Sequence, residues 1–324
     1  MHNYHIQFIW QLNNLLAAAS FFMSAFIIMY AASRGFFAKM RSRHLVLLKK
    51  RLESVAASKT LTVNDRCRLL IGKIDPLEAA DVISNKSLVL PQKLNEELKA
   101  CFIAEDKIHQ IEHIALKSRN KWRRIQALIS LGSSEDPSIL TALEKSLLEK
   151  DEDISYFSML SLGHMKSVPA AKVLLDFLGK HIYSGHKVIS LLEDFPPSIV
   201  EDVVNTTHSP DPFVRFWCVK LLSKFRPVQC LGRIAELTQD TSSDVRAAAC
   251  ECLGEIGLPE AKPALAHCLH DGVWFVRMHA VRALSKVSKS ECIPLCTPML
   301  KDSDLLVRES ARNAIALYAP HAAG

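Results

Sequence analysis

The chain has 324 residues, 49% of them apolar and 23% charged, with a formal net charge of +6. That apolar share excludes a disordered chain, which could not bury enough surface to offset its ordering entropy. Residues 34–51 alone carry +7, leaving the remainder near −1, which argues against a basic face for tracking phosphates.

The first Lys, Arg, Asp or Glu is Arg34. Residues 1–6 read as a short extracytoplasmic tail, and residues 7–33 predict one transmembrane helix, because an apolar run of this length spans the roughly 30 Å hydrocarbon core. Trp10 and Tyr30 suit the two interfaces, about 30 Å apart along a helix. A basic juxtamembrane segment follows at 34–52, with Arg34, Lys39, Arg41 and Arg43 as its lipid-facing residues. Basic residues after the span predict an inner (plasma) membrane protein, N-terminus outside and all else cytoplasmic. A cleavable signal peptide would carry its charges before the apolar core instead. Nine cysteines, an odd number at irregular spacing, argue against a disulfide framework and fit free thiols in a reducing compartment.

Residues 53–118 predict a helical connector and N-terminal cap. Leu45–Val55 and Asn64–Ile74 read as helical segments, followed by Pro76–Ile83, Leu94–Phe102 and Ile108–Leu116. Asp75-Pro76, Leu90-Pro91 and the polar run 84–87 break them.

From 119 to 324 the sequence repeats. With Val245 as offset 0, Ala249 as offset 4 and Leu253 as offset 8, the same frame gives Val276, Ala280, Leu284 and then Val307, Ala311, Ile315. Upstream it gives Val214, Cys218, Leu222, and weaker copies anchored at Ser184, Ile154 and Arg123. The seven anchors stand 30 or 31 residues apart. Offsets 0, 4 and 8 share one side of a helix, so each frame is amphipathic. A second helix precedes each frame; Pro263 and Pro294 sit near the starts of two of these, where a missing amide costs little. A helical hairpin cannot bury its apolar face alone, and stacking the hairpins completes the core. The predicted fold class is all-α: an α-solenoid of about seven helical-hairpin repeats preceded by one transmembrane helix.

The phrase Val-Arg-Ala-Ala-Ala-x-x-x-Leu-Gly-x-Ile-Gly at 245–257, with the Pro-Glu-Ala after it, resembles HEAT repeats of the short type first named for phycobilisome lyases. The resemblance covers roughly residues 105–320 and implies a fold rather than a reaction, since the matching positions are core and stacking positions.

Arg124, Arg215, Arg246, Arg277 and Arg308 all stand at offset 1. Acids recur with them, at offset −5 as Asp240, Asp271 and Asp302, and at offset −3 as Asp151, Asp211 and Asp304. An arginine stripe for phosphate is one reading. An inter-repeat ladder of Arg–Asp contacts is the other, and the recurrence of the acids favours it.

Nucleotide-loop, metalloprotease and nucleophile-elbow motifs are all absent. Cys250 and Cys252 point in different directions on a helix. Cys292 and Cys296, with His267, Cys268 and His270 one repeat earlier, allow a metal site, but small apolar core residues account for them better. No metal, cofactor or small-molecule substrate is expected.

One row of residues predicts a partner surface. Offset 2 holds Ile125, Tyr156, His186, Phe216, Ala247, Met278 and Glu309, and offset 6 holds Ile129, Leu160, Ser190, Lys220, Glu251, Arg282 and Asn313. Helical geometry places these opposite the buried side, on the inner curve, and the N-terminal part is apolar. Ile125, Tyr156, Phe216, Lys220, Met278 and Arg282 are the candidate contacts.

Together these features predict a membrane-anchored, non-enzymatic scaffold that binds a protein partner, possibly another membrane protein, in a bacterial assembly for envelope-glycan synthesis or signalling. The runner-up is a bilin lyase or isomerase, which the repeat resemblance alone implies. A HEAT-like nucleic-acid binder comes third, against the near-neutral charge outside 34–51.

Overall fold

The turns before the long helices carry side chains that take up spare helix amides. Asn120 Oδ1 accepts from the amides of Trp122 and Arg123 at 3.0 and 3.2 Å. Asp151 does the same for Asp153 and Ile154, and Asp304 for Leu306 and Val307. Asp211 accepts from Phe213 N at 2.9 Å, with Pro212 filling a first-turn place where no amide is needed. Three helices end on a left-handed residue: Lys166, Arg226 and Gly257, the last at φ 75 and without the Cβ penalty of the other two.

The computed structural model describes residue 50 and residues 74–84, 96, 100–102, 106–133 and 136–319. In chain order the helices are α1 (Pro76–Ser84), α2 (Lys107–Lys117), α3 (Lys121–Gly132), α4 (Leu140–Leu147), α5 (Glu152–Met165), α6 (Val168–Leu178), α7 (Gly185–Leu192) and α8 (Val200–Thr206). They continue as α9 (Pro212–Phe225), α10 (Leu231–Glu236), α11 (Ser243–Ile256), α12 (Lys262–Cys268), α13 (Trp274–Ser288), α14 (Ile293–Cys296) and α15 (Leu305–Tyr318). No strand occurs among the described residues. The later first helices are short α segments flanked by 3-10 turns, as at Pro259–Ala261 before α12 and Thr297–Lys301 after α14.

Two compact units divide the chain, Met1–Gln110 and Ile111–Gly324. In the first, α1 buries Ala79 and Ala80, Asp75 Oδ1 accepts from Leu77 N at 3.0 Å, and Lys107 Nζ donates to the Ile74 carbonyl at 3.1 Å. Cys101 is buried and disulfide-bonded, which corrects the reading of all nine cysteines as free thiols. Cys218, Cys230, Cys250, Cys252, Cys268, Cys292 and Cys296 are free.

The second unit is a row of helical hairpins. Second helices pack on one another, α3 on α5, α7 on α9, α9 on α11, α11 on α13 and α13 on α15, while α4, α8 and α12 lie against the second helix of their own hairpin. The frame residues form the seam: Val245, Ala249, Leu253, Val276, Ala280, Leu284, Val307 and Ala311 are fully enclosed. Ser158 stands where other repeats put Ala or Cys, and it is accommodated because its hydroxyl donates to the Ile154 carbonyl at 2.7 Å. Ser184 and Arg123, weak members of the frame, are exposed.

Offset 9 is glycine at 132, 163 and 254, and close approach of the next helix is the reason. A Cβ on Gly254 would lie 2.9 Å from Cα and Cβ of Ala283, and one on Gly132 would lie 2.7 Å from Ser161 Cα. Gly254→Val is therefore expected to force α11 and α13 apart and cost about 1–3 kcal/mol. Thermal melting followed by circular dichroism checks this; an unchanged melt would mean the two helices do not meet there.

Segment 7–33 and the basic residues Arg34, Lys39, Arg41 and Arg43 lie outside the described residues. Among the described residues no helix is long and apolar enough to cross a membrane. The longest, α13, has 15 residues and reaches about 22 Å, short of a hydrocarbon core. The expected single-pass inner-membrane placement is corrected on this finding.

Candidate binding face

The arginines at offset 1 tie each hairpin to its neighbour. Arg215 Nε and Nη2 donate to both carboxylate oxygens of Asp240 at 2.7 Å, with side chains only 12% and 7% exposed. Arg246 holds Asp271 at 2.6 and 3.0 Å, and Arg277 holds Asp302 at 2.8 and 2.7 Å. Each is a forked, charge-assisted pair. The partner aspartate also accepts an amide two residues on, from Ser242, Val273 or Asp304. Burial opposes ionisation of Asp240 and Asp271, but the arginine fork and the amide outweigh it; at Asp302 the Arg277 bond is the largest influence, and all three carboxyls titrate below their ordinary range. Arg124 departs from the pattern, donating to Glu149 at 2.5 Å and to the Ala115 carbonyl at 2.7 Å. Among the described residues Arg308 donates to the carbonyls of Asp302 and Ser303.

The predicted partner row divides. Tyr156 is 37% exposed and Phe216 half-buried, but Ile125, Ala247 and Met278 are buried. Ile125 and Met278 are thereby corrected as exposed contacts. The physical reason is that second helices stack on second helices, so offset 2 meets the neighbouring helix instead of an open surface. Offset 6 is the more open row: Ile129 is 43% exposed, and Arg282 and Asn313 are exposed. Lys220 and Glu251 on that row bond each other across the repeat at 2.9 and 3.1 Å.

Rings missing from the predicted row extend it. Tyr156 meets Phe157 and Tyr183 edge-on, with centroids 5.7 and 6.1 Å away, and Lys187 Nζ lies 5.6 Å from the Tyr183 centroid. Two repeats on from Tyr156, Trp217 contacts Phe216 at 5.1 Å and His186 at 6.2 Å. Trp217 lies over Gly185, where any Cβ would run into the indole. The signal for it in the sequence is a glycine one repeat before a large ring. Trp217, His186, Ile189, Lys220, Lys224 and Glu251 line a groove of about 450 Å³. Its walls carry both charge signs around one aromatic plate.

The cysteines and histidines do not converge. Cys268, Cys292 and Cys296 are buried while His267 and His270 are exposed. Among the described residues no group of three or more His, Cys, Asp or Glu is placed to hold a metal ion. Burial raises the Cys218 thiol to about 12 and pushes Cys252 equally high.

Residues 230–316 match the family model for HEAT repeats. Two curated relatives are similar to this chain. One is a deoxyhypusine hydroxylase of Eremothecium gossypii, 26% identical over 202 residues, covering 60% of this chain and 62% of that protein. The other is an uncharacterised phycocyanin operon protein Y of Pseudanabaena tenuis, 29% identical over 195 residues, covering 57% of this chain and 44% of that one. The chain thus spans less than two thirds of the length of either. Among solved structures, human deoxyhypusine hydroxylase superimposes with a TM-score of 0.34 at 16% identity, covering 87% of this chain and 98% of that one. A designed armadillo repeat protein gives 0.32 at 13% identity, covering 65% and 99%. The expectation of a protein without enzymatic activity is corrected here, because a relative 26% identical over 202 residues bears an enzyme's name.

Proposed function

We propose that the array holds a polypeptide partner along the aromatic face running from Tyr156 through Trp217 to Lys220. The observation that carries this reading is the groove at Trp217, where a half-buried indole stands between residues of both charge signs. Aromatic anchors in partly enclosed places supply most of the affinity in protein interfaces, at about 1–2 kcal/mol or more each. Arg282 extends the same row as a charged rim. The double variant Tyr156→Ala, Phe216→Ala is expected to stay helical and to lose about tenfold or more of partner binding. Quantitative crosslinking against the wild-type chain tests it; a folded variant that recovers every crosslinked partner at wild-type yield moves the binding face elsewhere.

A second reading gives the array a catalytic task on a pigment-binding protein. It is favoured by the 29% identity to a phycocyanin operon protein and by the lyase-type phrase at 245–257. Incubation with bilin and an apo-phycobiliprotein should then give a covalent adduct with shifted absorbance. No adduct removes this reading and leaves the first standing.

A further inference from the structure

Arginine–carboxylate rungs tie α3, α9, α11 and α13 each to the turn of the hairpin that follows, but the two junctions between α5, α7 and α9 have none. Offset 1 is Ser155 in α5 and Gly185 in α7, and no Asp or Glu stands in the turn 179–184. Before α9, Ser209 takes the place of Asp240. Its Oγ accepts from the Asp211 amide at 3.2 Å, as Asp240 Oδ1 accepts from that of Ser242 at 2.8 Å, but it brings no carboxylate. Near the solvent, Tyr183 Oη donates to the Glu152 carbonyl at 3.1 Å, and His181 meets Asp211 at 2.7 Å with side chains 51% and 29% exposed. Exposed contacts of this kind are screened and hold little. The helix between these junctions, α7, has 8 residues, against 12 to 15 in the other second helices.

The junction of α7 with α9 has open space on both of its faces. On the side of the second helices lies the groove of about 450 Å³, between His186 and Ile189 of α7 and Trp217 and Lys220 of α9. On the side of the first helices a cavity of about 540 Å³ opens between Lys172 and Asp176 of α6 and Asp202 and Asn205 of α8. Trp217 lies over Gly185, in the space that an arginine at offset 1 would need. A forked ion pair fixes both direction and distance. A ring against bare backbone is held by apolar contact, which has no preferred direction. This junction therefore has a pivot where the later ones have a lock.

We propose that the array bends at the junction of α7 with α9, pivoting where Trp217 meets Gly185, and that the bend sets the width of the groove. Closing the cavity between α6 and α8 draws α7 away from α9 on the groove side, and the opposite bend narrows the groove. The hairpins from α9 onward move as one body, because Arg215, Arg246 and Arg277 lock their junctions. The inference rests on the reading of the groove as a partner's seat and adds its regulation. A partner that fits one width selects one bend, by its differential affinity for the two.

Distances between spin labels on the full chain test it. Lys180, Gln239 and Lys301 are exposed on the connections leading into α7, α11 and α15, two hairpins apart at each step. A ketone-bearing amino acid at each site takes a nitroxide without touching the free thiols. Dipolar spectroscopy in frozen solution should give a Lys180–Gln239 distribution about twice as broad as that of Gln239–Lys301. A further pair, Ser190 and Lys224, reads the width of the groove by dipolar line broadening and should show more than one separation. The variant Gly185→Arg, Ser209→Asp, Trp217→Ala installs the missing rung, with the alanine that α11 carries at the same offset as Ala248. Its Lys180–Gln239 distribution should narrow to that of Gln239–Lys301. Equal widths of the two distributions without the rung substitutions overturn the proposal, and that comparison stands even where the rung variant fails to fold. A folded rung variant that stays broad overturns it too, and a single Ser190–Lys224 separation overturns the control of the groove by the bend. None of these readouts involves a partner, so their failure is distinct from a failure of the crosslinking test of Tyr156→Ala, Phe216→Ala.

Discussion

Ala280→Asp is expected to unfold the C-terminal hairpins, α11 to α15. Ala280 is fully enclosed on α13, a helix that packs on α12. An unpaired carboxylate buried there costs on the order of several kcal/mol whether it stays charged or takes up a proton. Each hairpin derives its stability from its neighbours, so the loss spreads along the row. Ala249→Asp, at the same offset one repeat earlier, should behave alike. Ala280→Ser is the control: Ser158 occupies the equivalent place in α5 and bonds back to the Ile154 carbonyl, so a hydroxyl should be tolerated where a carboxylate is not. Urea unfolding followed by circular dichroism reads the outcome. An Ala280→Asp midpoint equal to wild type would show that offset 4 is not the hairpin seam.

That seam was legible in the sequence because the hairpin is a local object. A period of 30 or 31 residues, with Val, Ala and Leu four apart inside it, fixes which side of the second helix meets the first. The 25-residue step from Arg215 to Asp240, repeated at Arg246 and Arg277, likewise put donor and acceptor at one height on neighbouring hairpins. The side facing the next hairpin depends on how neighbouring second helices are rotated, and no local pattern encodes that. Hence Ile125 and Met278, outward by helical geometry, are covered by an adjacent helix. The glycines at offset 9 were the available clue, since Gly132 and Gly254 mark where the next second helix comes closest.

The aromatic face was half legible for a related reason. Tyr156 and Phe216 fall on the frame, but Tyr183 lies before α7 and Trp217 one position off the predicted row. Their meeting depends on Gly185, which leaves the indole room. The disulfide at Cys101 falls in the unit that does not keep the repeat frame, so no period pointed to it.

Arg277→Ala is expected to cost about 3–5 kcal/mol, more than loss of an exposed ion pair. The pair it breaks is largely enclosed, Arg277 being 12% and Asp302 7% exposed by side chain. Without the guanidinium, Asp302 remains as a buried carboxylate held by the Asp304 amide and the Ser303 hydroxyl, neither of which carries charge. Asp302→Asn keeps that amide bond and removes the charge, so the double variant Arg277→Met, Asp302→Asn should recover much of the loss. The pH dependence supplies an independent measure. The Arg277 bond holds the Asp302 carboxyl below its ordinary value of 3.8 in the folded chain. A depressed carboxyl contributes stability that is present above the unfolded value and lost as pH falls through the folded one. Wild-type melting should therefore drop on acidification below about pH 4, and less steeply in Asp302→Asn. Melts of the two proteins between pH 7 and pH 2 decide it, and identical slopes would mean that the fork does not hold Asp302 ionised.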